Sequence, residues 1–152
     1  MFTKVIALGC IVAAAAYTAA ADAGHVVTKQ RVAIEHTGSS FVLTPLTPGA
    51  VKRDVGTISF CCWTEHPTIH DGEAVDINDP EMTITGKRGT LVARNRVGYV
   101  DLMHGWSIFT GTWTVISGTG QYAGLVGGGR GAGVAPPAGD TNARFEGFLT
   151  QK

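Results

Sequence analysis

The chain is poor in the features that most often declare a function. It has three cysteines in 152 residues, too few for a scaffold stapled by several disulfides. Neither sign of charge is in excess, the formal net charge being zero. Without clustered Lys and Arg to displace counterions, nothing points to nucleic acid or an anionic membrane as a partner. Beyond position 23 no segment carries helical periodicity of useful length. Ser39, Ser40, Ser59, Ser107 and Ser117 stand in no nucleophile-elbow setting, so no Ser-based triad is indicated.

What is present begins with a leader. MFTK supplies a positive N-terminus, VIALGCIVAAAAY an apolar core, and Ala19-Ala20-Ala21 or Ala21-Asp22-Ala23 a small-residue cleavage site. The apolar run is shorter than the roughly 20 residues a spanning helix needs. Residues 1–23 therefore read as a signal peptide and 24–152 as one domain, secreted or periplasmic, with no membrane attachment after cleavage. Cleavage takes away Lys4 and Asp22, leaving the charge balanced, and Cys10, leaving Cys61 and Cys62. Neighbouring Cα atoms lie about 3.8 Å apart, below the roughly 4.4–6.8 Å usual for a disulfide. An extended strand also points adjacent side chains to opposite faces. Both constraints favour free thiols, with a vicinal bridge or an intermolecular bond as alternatives.

The mature sequence alternates with period two and is punctuated by Gly, Pro, Asn and Asp. Val32, Ile34 and His36 share a face, as do Leu91, Ala93, Val97 and Tyr99, with Arg94 and Arg96 opposite them. Residues 56–66 read as one strand, 70–80 as a polar loop, 105–117 as the strongest strand and 143–150 as the last. About seven or eight short strands predict an all-β fold, a single antiparallel barrel in which the last strand pairs with an earlier one and no edge is left exposed.

The segment Gly118 to Gly133 packs eight glycines into sixteen residues and opens with GTGQYA, a match to the dinucleotide fingerprint. That motif works only where a helix follows to receive the pyrophosphate. Here Gly-Leu-Val-Gly-Gly-Gly-Arg-Gly-Ala-Gly follows, which cannot sustain a helix at about 1 kcal/mol per glycine. Nucleotide is thereby excluded, and no other cofactor is called for. The glycines read as structural: Gly118 and Gly120 turn the chain, Tyr122 and Leu125 plug a barrel end, and residues 127–134 return as a thin, bent strand.

The pattern Trp113-x-x-Ile116-x-Gly118-Thr-Gly120-x-Tyr122-x-Gly124-Leu125-x-Gly127-x-Gly129, with Phe145-x-Gly147-x-Leu149, resembles the allene oxide cyclase-like and dirigent-like barrel superfamily. Ser117 stands where those proteins often have a first Gly, and Tyr122 where they have Phe. The likeness implies an eight-stranded antiparallel barrel with an apolar central cavity. Plant members act as dimers or trimers on hydrophobic small molecules, which extends the expectation to a homo-oligomer. The cyclase and dirigent reactions depend on early-strand residues that find no match here.

Three functions follow as expectations. Trp63, Tyr99, Phe109, Trp113 and Tyr122 could wall a cavity for a hydrophobic small molecule, against the alternative that so small a barrel fills itself. A cofactor-free cyclase or isomerase could use the same cavity, with Glu65 as acid or base. His66 and His70, with Glu65, Asp71 or Glu73, are candidate ligands for a metal. Pro67 and the strand pattern oppose the helix that would align the two imidazoles, and an exposed acidic loop is the favoured reading. His36 and His104 read as structural.

Overall fold

The computed structural model describes residues 28–70 and 73–152; the expected signal peptide lies outside them. Ten strands occur among the described residues: β1 (Gln30–Thr37), β2 (Ser40–Pro45), β3 (Asp54–Cys61), β4 (Glu65–His70), β5 (Glu73–Asn78), β6 (Glu81–Gly86), β7 (Gly89–Asp101), β8 (Ser107–Gly118), β9 (Leu125–Ala135) and β10 (Asn142–Gln151). Eight of them close in the order β7-β6-β3-β2-β1-β10-β9-β8. Closure is made by β7, which pairs with β6 on one edge and with β8 on the other, antiparallel throughout. The expected fold class, an all-β antiparallel barrel, is the one found.

The remaining hairpin, β4 and β5, joins the barrel rim through β5, whose Asp76, Ile77 and Asn78 face Tyr99, Gly98 and Val97 of β7. Two sequence expectations change here. The strand expected over 56–66 ends at Cys61, and the expected loop over 70–80 contains β5. The cause of the first is Cys62, whose φ of 59° is left-handed and breaks the extended run. The cause of the second is the β-branched content of Thr68, Ile69, Val75 and Ile77, which outweighs the acidic residues around it. Cys61 and Cys62 are joined as a vicinal disulfide, not left as free thiols. Extended-strand alternation does not keep the two sulfurs apart, because the left-handed turn at Cys62 ends it.

Inward residues form one core. Ile34, Leu43, Met82, Ile84, Leu91, Trp113, Phe145 and Leu149 are fully or almost fully buried. β9 contributes almost no volume to it, and this is the use of its glycines. A Cβ at Gly131 would run into the Phe145 ring, and one at Gly147 of β10 would lie 2.7 Å from the Trp113 ring. Glycine at both positions lets two large rings lie flat on the wall. The uneven charges of the sequence also pair across strands: Arg96 with Asp79 at 3.4 Å and Arg94 with Glu81 at 3.1 Å. Exposed as their basic partners are, these pairs fix register more than they add stability.

One barrel end is closed. A short 3-10 turn, Gly120–Tyr122, brings Tyr122 inside, where its hydroxyl donates to Asp54 Oδ2 at 3.0 Å. Asp54 also accepts from the amides of Lys87 (3.1 Å) and Arg88 (3.2 Å) in the β6–β7 turn. Burial pushes the Tyr122 hydroxyl far above its ordinary pKa, and the neighbouring Asp54 charge adds to the shift, so it remains a donor. Beside it, buried Gln30 donates to the carbonyls of Thr47 and Val51 and accepts from the Val51 amide at 2.8 Å, tying down the β2–β3 loop.

Tyr122→Phe removes one of several donors to Asp54 and should cost about 1.5–3 kcal/mol. Asp54→Ala strips the hydroxyl and two turn amides of their acceptor and should cost more, above about 3 kcal/mol. Urea unfolding midpoints of the two variants check the order. Equal costs would mean that the turn amides contribute nothing.

Candidate functional site

The opposite barrel end holds a cavity of about 500 Å³. Its walls come from strand ends that meet at this rim: His36 of β1, Phe60 of β3, Asn95, Val97 and Tyr99 of β7, Phe109 of β8 and Phe145 of β10. Trp63, in the coil after the disulfide, stands at the mouth with half its surface exposed (50%).

The rings form a nearly continuous belt. Centroids are 5.5 Å apart for His36 and Phe60, 6.3 Å for Phe60 and Trp63, 6.4 Å for Trp63 and Tyr99, and 5.3 Å for Tyr99 and Phe109. His36 also stacks on Phe145, with centroids 6.0 Å apart and planes inclined by 17°. Such spacings are typical of favourable aromatic pairs, so the belt holds its own shape.

Two buried polar side chains interrupt the apolar wall, while Ser39, Asp140 and Thr141 add less buried polar groups. His36 is 4% and Asn95 is 1% exposed. Neither imidazole nitrogen of His36, and neither amide atom of Asn95, has a hydrogen-bond partner of good geometry. An unpaired buried polar group costs about 1–3 kcal/mol. Two such groups at one site call for a partner that the protein's own atoms do not supply. Burial lowers the pKa of His36 from its ordinary 6.5, the Gly38 backbone offsetting part of the shift, so the ring is neutral at pH 7. Neutral imidazole and carboxamide each offer a donor and an acceptor. Among the described residues no Lys or Arg lines the cavity, and Asp140 stands exposed at its rim.

The sequence candidates divide accordingly. Trp63, Tyr99 and Phe109 line the cavity. Trp113 and Tyr122 point inward but lie deeper, fully buried, with Trp113 Nε1 donating to the Glu146 carbonyl at 3.3 Å and Tyr122 held by Asp54. Both are core, because inward parity says nothing about depth along the barrel axis. Glu65 is exposed on β4 and lines no part of the cavity. His66 and His70 lie on one strand, where four residues span about 13 Å, far beyond what one ion bridges. His66 instead faces Asp79 at 3.5 Å. Asp71 lies outside the described residues. Of the glycine motif, Gly120 and Gly124 take positive φ (57° and 69°) at the closed end, and Gly127 does so (147°) inside β9. Gly118 faces the Tyr122 backbone too closely for any Cβ, and Leu125 is buried beside them.

Sequence reasoning set His36 aside and passed over Asn95. The series Leu91, Ala93, Val97, Tyr99 skips its central member, and a polar residue at the one missing inward position was the available signal.

No family model, curated protein or solved structure matches this chain.

A depressed histidine pKa has a stability consequence of definite sign. Below pH 6.5 the unfolded chain takes up a proton at His36 that the folded chain refuses, so stability falls until the lowered folded pKa is reached. His36→Phe abolishes this component. The stability of wild type relative to the variant should therefore decline as pH falls through and below 6.5 in paired urea titrations. A constant difference would show that His36 is not held neutral.

Proposed function

We propose that this chain binds a small, uncharged, largely apolar molecule in the rim cavity. The observation that carries the reading is the pair of buried, unpartnered side chains, His36 and Asn95, set in an aromatic wall. The cavity volume suits one small organic molecule. The ring belt supplies apolar contact, and the two polar side chains supply orientation. A ligand carboxylate would meet no cation on the wall and would face Asp140 at the rim. A ligand ammonium group would gain only a solvent-screened pairing with that exposed carboxylate. A neutral head with both a donor and an acceptor, such as an amide, suits the donor and acceptor that Asn95 and neutral His36 each offer.

Export through the residue 1–23 leader, and membership of the allene oxide cyclase-like superfamily on the glycine motif, belong to the same proposal. On this reading the binder works outside the cytoplasm and its ligand is apolar. An isomerase using this cavity would have to employ His36 in place of Glu65, since neutral His36 has unengaged nitrogens inside it.

A matched probe series tests the reading: naphthalene, naphthalene-2-carboxamide, 2-naphthoate and 2-naphthylmethylammonium, followed by tryptophan fluorescence and calorimetry. The carboxamide should bind tightest. Asn95→Leu and His36→Phe should each weaken it about tenfold while leaving naphthalene nearly unchanged. Preference for the ammonium probe would move recognition to Asp140, and no binding by any probe would overturn the cavity reading.

A further inference from the structure

The outer face of the β3 end carries a second set of groups, independent of the cavity. Register places Cys61 opposite Glu81, and Glu81 opposite Arg94, so these three side chains share the outward side of the sheet. The left-handed turn at Cys62 returns its sulfur to that side, where the two cysteines are bonded. The two sulfurs and a Glu81 carboxylate oxygen all lie within 4.8 Å of one another. Cys62 and Glu81 also line a hollow of about 370 Å³, open enough for water to complete a coordination shell.

We propose that reduction of the Cys61–Cys62 disulfide creates a binding site for one thiophilic divalent cation, of the zinc and cadmium type, held by both sulfurs and the Glu81 carboxylate. A tetrahedral ion with bonds of about 2.3 Å to sulfur and about 2.0–2.2 Å to oxygen sets its ligands roughly 3.5–3.8 Å apart. The Glu81 oxygen lies within 4.8 Å of both sulfurs, and breaking the bond between the sulfurs frees them to part toward that spacing. The disulfide blocks the site because each sulfur's bonding electrons are committed to the other.

The chemistry balances in two steps. A small dithiol reductant attacks one sulfur as its thiolate, forms a mixed disulfide and closes on itself, leaving as a cyclic disulfide. Two electrons and two protons are thereby left on Cys61 and Cys62 as two thiols. Cation binding then displaces those two protons. Two thiolates and one carboxylate around a dication leave one net negative charge. Arg94, 3.1 Å from Glu81 Oε1, stands beside it to balance that charge, and the carboxylate's second oxygen can serve the ion. Both cysteines are exposed, so reductant and ion reach them without unfolding the barrel.

The experiment is an anaerobic Cd²⁺ titration of the mature chain before and after reduction with a phosphine and desalting, read by thiolate-to-cadmium charge-transfer absorption and by calorimetry. The oxidised chain should show no band. The reduced chain should saturate at one ion per chain, and the double variant Cys61→Ser, Cys62→Ser should show none. Glu81→Gln should keep the band and bind about tenfold or more weakly. Circular dichroism checks that each variant is folded. On the wild-type chain itself, Cd²⁺ should protect both reduced thiols from iodoacetamide, a readout that needs no variant. Equal binding by oxidised and reduced chains, unprotected thiols, or a Glu81→Gln affinity equal to wild type would overturn the three-ligand site.

Discussion

The interior of this barrel is governed by a strand that puts almost nothing into it. The inward positions of β9 are glycines through Gly127, Gly129, Gly131 and Gly133, so this wall is bare backbone. Rings from the adjoining strands occupy the space that side chains would have taken, Phe145 over Gly131 and Trp113 against Gly147. Eight strands enclose a lumen that side chains either fill or leave just wide enough for one small molecule. Here the lower half is filled and the upper half is not. The division depends on where the large rings lie, and hence on the glycines beneath them.

The two halves treat buried polar groups in opposite ways. At the closed end, Asp54 accepts from Tyr122 and from two turn amides, and Gln30 satisfies both polar groups of Val51. Every one of these bonds ties together segments distant in sequence, so the polar groups there serve the fold. At the open end, His36 and Asn95 are buried as deeply, and neither makes a hydrogen bond of good geometry. A chain able to pair its buried donors and acceptors at one end has no physical obstacle to doing so at the other. The contrast within one molecule argues for a ligand more strongly than the cavity's volume does.

Much of the wall was legible in the sequence, because period two fixes which residues face inward. Val32, Ile34 and His36, and Leu91, Ala93, Val97 and Tyr99, were placed on single faces, and the structure buries or half-buries all of them on the barrel interior. Depth along the axis was not legible. Trp113 and Tyr122 have the correct parity and the wrong height, since alternation repeats identically at every level of a barrel. Glu65 fails for a different reason: parity counted from β3 does not survive the left-handed residue at Cys62. The β4–β5 hairpin was hidden by its acidic residues, although its β-branched positions were in plain sight.

Cys62 lies between the cavity mouth and the outer face of the sheet. A non-glycine backbone in the left-handed region costs about 1–2 kcal/mol and persists only where something holds it. At Cys62 the closed ring with Cys61 is an evident restraint, because its two sulfurs confine the peptide between them. One residue further on, Trp63 is delivered to the cavity mouth against Phe60 and Tyr99. Phe60 faces the cavity, Cys61 faces Glu81, and Trp63 caps the belt: three successive roles set by one break in one strand. Trp63 is fixed from its other side as well, because the Thr64 carbonyl accepts from the Asp79 amide at 3.1 Å and leads directly into β4, while its contacts with the neighbouring rings add roughly 0.5–1.5 kcal/mol each.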